Sequence, residues 1–406
     1  DNDGVLDTAD AFPLITLGAL TDTDGDGRPN DCDSACQGLG MAADPDDDND
    51  GFPDSRQRGE DIDGEAAGDN SGAVSLSSDG NVLAIGALSN DGNGDDSGHV
   101  RIYAWNGSRW LQRGEDINGE AAGDISGVVS LSSDGSVIAI GAYLNDGNGE
   151  ESGHVRIYGW DGDNWLQRGE DIDGEAADRS GFSVTLTSDG DTVAIGSPRS
   201  IIPYGCPPFT CSGSSGDLVR VYDWDGDGWL QRGVDINGES FAGFSVSISS
   251  DGNVLAIGTP LGNRVTGHVR IYVWDGNNWL QRGEDIYGDV MLGFSGWSVS
   301  LSSAGDVVAI GAYQSDSNGE ASGHVRIYDW SGGNWLQRGE DIRGEAAGRN
   351  AGYSVSLSSD GGVVAIGSPS ISYVDNRYNN RNQAGQVRLY AWDGSKWLQR
   401  GGDIEG

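Results

Sequence analysis

The chain has 406 residues, with 64 acidic against 24 basic side chains and a formal charge of −40. With Lys396 as its only lysine, it has no basic face to neutralise phosphates, which excludes nucleic acid and disfavours anionic membrane surfaces. No apolar run approaches the ~20 residues that a membrane-crossing helix needs, so no membrane insertion is expected.

The chain opens on Asp1-Asn2-Asp3-Gly4, in the middle of a motif and with no signal peptide, so a processed or partial product is expected. Three aspartate ladders follow. Asp22, Asp24, Asp26, Asn30 and Asp33 form the first full one, Asp46, Asp48, Asp50 and Asp54 repeat it, and Asp1, Asp3, Asp7 and Asp10 are the same ladder without its first rung. Alternating aspartates around a glycine turn several carboxylates inward from one tight loop, the donor set that calcium takes. An EF-hand would need flanking helices, which Pro13, Pro29, Pro45 and Pro53 oppose. A merely solvated acidic linker is the other alternative. The spacing, the glycine and the following proline make residues 1–54 resemble thrombospondin type 3 repeats. That resemblance implies little regular secondary structure around a line of calcium ions.

The cysteines fall as two close pairs, Cys32 with Cys36 and Cys206 with Cys211. Close pairs in a glycine-rich chain suggest two local disulfides and an oxidising compartment, with free thiols as the alternative.

From residue 57 the chain repeats. Gln-Arg-Gly followed by x-Asp-Ile (Gly-Asp-Ile in the last copy) begins at Gln57, Gln112, Gln167, Gln231, Gln281, Gln337 and Gln399, a period near 55 residues. Periods of this size mark repeat architectures. In the second repeat, Val129-Ser130-Leu131 alternates as a half-buried strand, and Ser133-Asp134-Gly135 is a turn. Val137–Gly141 is apolar on both faces, as in a central strand. His154–Trp160 alternates again, and Trp165-Leu166-Gln167 begins a more polar outer strand. Four strands in each of six repeats predict an all-β fold, a six-bladed β-propeller, with seven blades or an open solenoid as alternatives.

Gly181-Phe182-Ser183-Val184 with Ile195-Gly196-Ser197-Pro198, and Gly243-Phe244-Ser245-Val246 with Gly258-Thr259-Pro260, resemble the FG-GAP repeats of integrin α-subunit propellers. The chain departs from them in having six repeats where the integrin head has seven blades. It also reduces the calcium loop of that family to Ser-Ser-Asp-Gly, too few oxygens for a cation.

Comparison between repeats sorts the remaining residues. His99, His154, His268 and His324 share one repeat position that Leu218 and Gln386 occupy elsewhere, which reads as scaffold. The tryptophan pairs, such as Trp160 with Trp165, read as packing, with sugar stacking as the functional alternative. No residue outside the repeat completes a catalytic set, so the chain is expected not to be an enzyme. The repeat breaks at two long loops carrying Tyr204 and Phe209, and Tyr373, Arg377, Tyr378 and Arg381, which are candidate ligand-binding residues.

The expectation is therefore a calcium-binding stalk at 1–56 and a propeller at 57–406, secreted or at the cell surface, serving adhesion or structural assembly through a protein partner or self-association. A carbohydrate-binding propeller with a glycan ligand is one alternative, and the non-catalytic part of a larger extracellular enzyme is another. Seven copies of Gln-Arg-Gly against six sets of strands leave one copy over. It would close the ring as a clasp, begin a further blade, or add to a neighbour's edge and grow a filament.

Overall fold

The structure is a computed structural model that describes residues 58–199, 216–239, 241–369 and 385–405. The three aspartate ladders and the loop residues Tyr204, Phe209, Tyr373, Arg377, Tyr378 and Arg381 lie outside the described residues. So do all four cysteines, Cys32, Cys36, Cys206 and Cys211. The two disulfides expected of them, Cys32 to Cys36 and Cys206 to Cys211, are therefore not shown, and the described residues contain no disulfide. The chain separates into two compact units. Residues 58–62 group with Trp105–Trp110, and Asp63–Ala104 groups with Leu111–Gly406.

The described residues form six antiparallel sheets in chain order, a six-bladed β-propeller. The one helix among them is the four-residue Gly262–Val265, and none is long and apolar enough to cross a membrane. Blade 2 shows how the sequence becomes a sheet. Ser126–Leu131, Val137–Ala142, His154–Trp160 and Trp165–Gln167 pair in order, with Val129 opposite Ile140, Ile140 opposite Arg156 and Trp160 opposite Trp165. The Asp134 carboxylate is spent on the turn, accepting from Ser136 N at 2.9 Å and Ser132 Oγ at 2.8 Å.

Each sheet has a fifth strand that the repeat pattern did not predict. In blade 2 it is Ile172–Asp173, which pairs with Val155 and His154. The reason is length: the third strand has seven residues and its outer neighbour three. The open half of its edge would leave backbone groups unpaired, and the isoleucine segment takes them.

The central strand is buried on both faces because blades stack face to face. Ile138 and Ile140 enter one cluster with Val100 and Ile102 of blade 1. Val137 and Ala139 enter another with Leu186, Val193 and Ile195 of blade 3. Each such valine or isoleucine contributes roughly 1.5–3 kcal/mol on burial. Blades approach to backbone contact: a Cβ at Gly141 would lie 2.1 Å from the Gly181 carbonyl oxygen. A backbone ladder links successive inner turns, Ser78 N to Ser133 O, Ser133 N to Ser188 O, Ser188 N to Ser250 O, Ser250 N to Ser303 O, and Ser303 N to Ser359 O.

Gln-Arg-Gly is the device that joins one blade to the next. Gln112 Nε2 donates to Asp116 Oδ1 at 2.6 Å and ties the segment to its own blade. Arg113 lies over both rings of the next pair, 4.7 Å from the Trp160 centroid and 5.4 Å from that of Trp165. Its carbonyl accepts from Trp165 Nε1 at 2.8 Å. The same bond links Trp229 to Arg168, Trp279 to Arg232, Trp335 to Arg282 and Trp397 to Arg338. The first copy serves blade 1 alike: Trp110 Nε1 donates to Arg58 O at 2.8 Å. The last copy is the ordinary outer edge of blade 6, where Trp397–Gln399 and Ile404–Glu405 both pair with Gln386–Trp392. The supernumerary copy is thus the one at Arg58, which lies on Trp105 and Trp110 and has no blade of its own.

The four histidines are buried at the start of the third strands. Burial pushes all four imidazoles below their ordinary pKa of 6.5, with His324 at about 4.

These contacts predict two outcomes. Gly283→Ala places a Cβ 2.8 Å from Trp330 at a φ of +83°; a loss of more than about 1 kcal/mol is expected, read as a lower Tm with unchanged far-ultraviolet circular dichroism. For His324, the depressed pKa means the unfolded chain takes the proton first. Its stabilisation is present above pH 6.5 and is lost as pH falls through about 4. His324→Leu, the residue that blade 3 carries at Leu218, should flatten the decline of Tm across that window.

Candidate cation site and an aromatic arc

The histidine position sits where three repeat features meet: the turn after Asp-Ile of the preceding blade, the third strand, and the Asp-Ile of the same blade. In blade 1 it gathers Glu65, His99 and Asp116, and in blade 2 Glu120, His154 and Asp171, with one ligand atom from each residue lying within 4.8 Å of the others. His99 Nδ1 is 3.7 Å from Glu65 Oε2. His154 Nδ1 is 3.6 Å from Asp171 Oδ2 and 3.9 Å from Glu120 Oε2. Burial lowers the pKa of both imidazoles and so favours the neutral form, which has a lone pair to offer.

Arginine decides which blades keep this arrangement. In blades 3 to 6 the arginine of the third strand grips the aspartate of Asp-Ile: Arg220 on Asp235 at 3.1 and 3.2 Å, Arg270 on Asp285 at 2.7 and 2.6 Å, Arg326 on Asp341 at 2.8 and 3.0 Å, and Arg388 on Asp403 at 2.9 Å. The charge of Asp341 is thereby favoured, and its pKa falls to about 2, the Arg326 hydrogen bonds being the main cause. In blades 1 and 2 the arginine turns aside. Arg101 Nη2 donates to the Asp63 carbonyl and Arg156 Nη2 to that of Asn118, each at 2.7 Å. Their Nε atoms are buried without a partner. Asp116 and Asp171 are left with one oxygen held by Gln112 or Gln167 and one toward the histidine.

A sequence difference accompanies the change. In blade 5, Ser317 Oγ lies 2.9 Å from His324 Nδ1 and satisfies it. Blades 1 and 2 have Gly92 and Gly147 at that place in the loop, and Nδ1 faces carboxylates. The asparagine loops themselves do not supply cation ligands. Asn90 Oδ1 accepts from Gly92 N at 2.8 Å, Asp91 Oδ1 from Asp96 N at 2.8 Å, and Asn93 Nδ2 donates to the Gly119 and Glu120 carbonyls. These are Asx turns and cross-links.

The blade 1 cluster opens to solvent. Glu65, Gln112, Gly114, Glu115, Asp116 and Asn118 line a cleft of about 570 Å³. Sequence comparison set the histidines aside as scaffold because they recur around the ring. That reading fits His324, whose Nδ1 is satisfied by Ser317; His99 and His154 instead face Glu65 with Asp116 and Glu120 with Asp171, the two glutamates lying 3.9 and 3.7 Å from Nη1 of Arg101 and Arg156.

The tryptophan pairs carry arginine on their rings and are packing elements, as their repetition implied. A second aromatic set was missed. Tyr143, Phe182, Phe244, Trp297 and Tyr353 follow one another at centroid separations of 5.2, 4.9, 4.4 and 5.5 Å, with Tyr313 at 4.5 Å from Trp297. Phe182, Phe244, Trp297 and Tyr353 stand just before the innermost strands of blades 3 to 6 and are half-buried. The signal was present in the Gly-Phe-Ser, Gly-Trp-Ser and Gly-Tyr-Ser triplets.

No protein-family model matches the chain, and no curated protein does. Solved structures do. Hydrazine synthase of Kuenenia stuttgartiensis is 13% identical with a TM-score of 0.53, over 83% of this chain and 80% of the other. A Bacteroides uniformis protein described as a 6-phosphogluconolactonase is 12% identical at 0.52, over 82% and 84%. The periplasmic gluconolactonase of Pseudomonas aeruginosa is 17% identical at 0.53, over 82% and 84%. These likenesses show the propeller fold and do not extend to the thrombospondin or FG-GAP resemblance. They overturn the expectation that the chain is not an enzyme: that expectation treated a repeat-obeying propeller as scaffold, and this fold is one that named lactonases use.

Proposed function

We propose that the chain is a divalent-cation-binding propeller of a secreted or cell-surface protein, whose cation sites and aromatic arc serve an interaction role. The observation that carries this reading is the contrast among the four His-Val-Arg strands: the aspartate of Asp-Ile is gripped by arginine in blades 4 and 5, at Asp285 and Asp341, and is left facing histidine in blades 1 and 2. Two carboxylates and one imidazole suit zinc or manganese better than calcium, which prefers an all-oxygen shell. Calcium remains the proposal for the ladders at Asp1–Asp54.

A second reading is favoured by the cleft and by the names of two fold neighbours: hydrolysis of a lactone beside Glu65, His99 and Asp116. Lewis-acid polarisation of a carbonyl is the chemistry that a cation supplies when bound there. Glu115, in the same cleft, offers a carboxylate to take a proton from water, and Gln112 and Asn118 offer donors and acceptors to a sugar's hydroxyls.

Zinc or manganese titrated into the metal-free chain should bind by calorimetry and raise Tm. Glu65→Gln with Glu120→Gln should weaken that binding by at least about tenfold; unchanged affinity would remove the two clusters from consideration. For the second reading, acid release from gluconolactone should depend on added cation and fall in Asp116→Asn. A rate equal to buffer, with and without metal, discards the hydrolase.

A further inference from the structure

The blades at the two ends of the series, 1 and 6, each keep one face uncovered. Within the stack, the first-strand leucine or isoleucine at Leu131, Leu186, Ile248 and Leu301 is buried against the preceding blade. Its counterpart in blade 1, Leu76, is 55% exposed, and Val74 beside it 64%. On the opposite face, the third-strand valine is fully buried at Val100, Val155, Val219, Val269 and Val325, and the fifth-strand isoleucine is buried at Ile117, Ile172, Ile236, Ile286 and Ile342. In blade 6 the same positions are Val387, 38% exposed, and Ile404, 54% exposed.

Three polar features stop at the same place. The backbone ladder of the inner turns runs from Ser78 to Ser359 and ends there. Ser75, Ser130, Ser247 and Ser300 each accept from the next inner strand, at Leu131, Leu186, Leu301 and Leu357; among the described residues Ser356 receives no such donor. Arg58, Arg113, Arg168, Arg232, Arg282 and Arg338 each cover a tryptophan, and no described tryptophan lies against Arg400. A Cβ at Gly401 would meet nothing within 4 Å, where its equivalents Gly114 and Gly283 would strike a ring.

We propose that these two faces are the halves of one interface and that its occupant is a second copy of this chain, docked head to tail with its blade 1 on blade 6 of the first. The argument is continuity with the interface already repeated five times inside the molecule. Each free face carries the residue types that the opposite free face is built to bury, at the same repeat positions. The first Gln-Arg-Gly copy sharpens it. Residues 58–62, Arg-Gly-Glu-Asp-Ile, and residues 400–404, Arg-Gly-Gly-Asp-Ile, are near-identical. Arg400 of one copy can therefore take the place of Arg58 on Trp105 and Trp110 of the next, an exchange of equivalent segments between chains. Such a contact does not close on two copies, so it propagates. The charge of −40 opposes it, and salt should favour it by screening that repulsion. This gives the interaction role a partner and needs no cation.

The test is sedimentation velocity of the 406-residue chain over a wide concentration range, in high salt, with and without EDTA. The expected result is a mass that rises with concentration beyond one chain and is unchanged by EDTA, so failure of the cation reading is scored separately. Val74→Asp/Leu76→Asp and Val387→Asp/Ile404→Asp alter exposed positions and should each remain single chains. Mixed, the two variants should form a one-to-one pair and stop, since each retains one good face. Arg400→Ala should weaken association by about tenfold or more. A wild-type chain that stays single at every concentration overturns the proposal, whether its own blades close on each other or another polypeptide covers them. Association that survives when both faces carry aspartate in one chain overturns it too.

Discussion

Blades 2 to 6 are each held by a residue of the blade before, an arginine laid against the tryptophan pair. A four- or five-stranded sheet with two apolar faces cannot stand in water alone. It must be covered twice, and the cover must be in register. The Arg113 guanidinium over Trp160 and Trp165 is worth about 0.5–2 kcal/mol, and the Trp165 hydrogen bond to the Arg113 carbonyl about as much again. Those sums are smaller than the apolar burial behind them. Their effect is positional: they fix where blade 2 sits against blade 1, so that Ile138 and Ile140 land among Val100 and Ile102. The glycine of Gln-Arg-Gly is what lets the backbone come that close, because a Cβ at Gly114 would strike Trp165 at 2.8 Å.

This constraint explains why the repeat was so legible. A motif that must serve the next blade as well as its own cannot drift, and the turn Asp134, the central strand Val137–Gly141 and the pair Trp160 and Trp165 were all readable from one period. What sequence could not give was direction. Gln-Arg-Gly reads as an outer strand by its alternation, and it is one only up to the glutamine. The arginine belongs to the neighbour. The fifth strand was hidden for a similar reason: a two-residue pairing such as Ile172–Asp173 is too short to have a period, and it forms only because the third strand outruns its partner.

The histidine sites show a deeper limit. The sequence test for a functional residue was that it should break the repeat. His99 and His154 obey the repeat and still differ from His324 in their surroundings. The difference lies in one hydroxyl, Ser317 against Gly92 and Gly147, and in which way an arginine turns. Arg156 and Arg326 are the same residue type at the same position of the third strand in their two blades. Arg326 binds Asp341 through Nε at 2.8 Å, whereas Arg156 Nε is buried without a partner. A rotamer choice of this kind leaves no trace in composition or spacing.

A repeat protein can therefore be uniform in sequence and asymmetric in chemistry. The guanidinium either grips the carboxylate, as Arg326 does Asp341, or donates to a carbonyl of the preceding turn, as Arg156 does to Asn118. The second state leaves the Nε of Arg101 and of Arg156 buried without a partner, at a cost of about 1–3 kcal/mol each. The apolar clusters of blades 1 and 2 form all the same, and the Asp116 and Asp171 carboxylates are left clear of arginine. That contrast also locates where variation should concentrate: in the loop before the histidine and the turn after Asp-Ile, and not in the strands, whose residues answer to two blades at once.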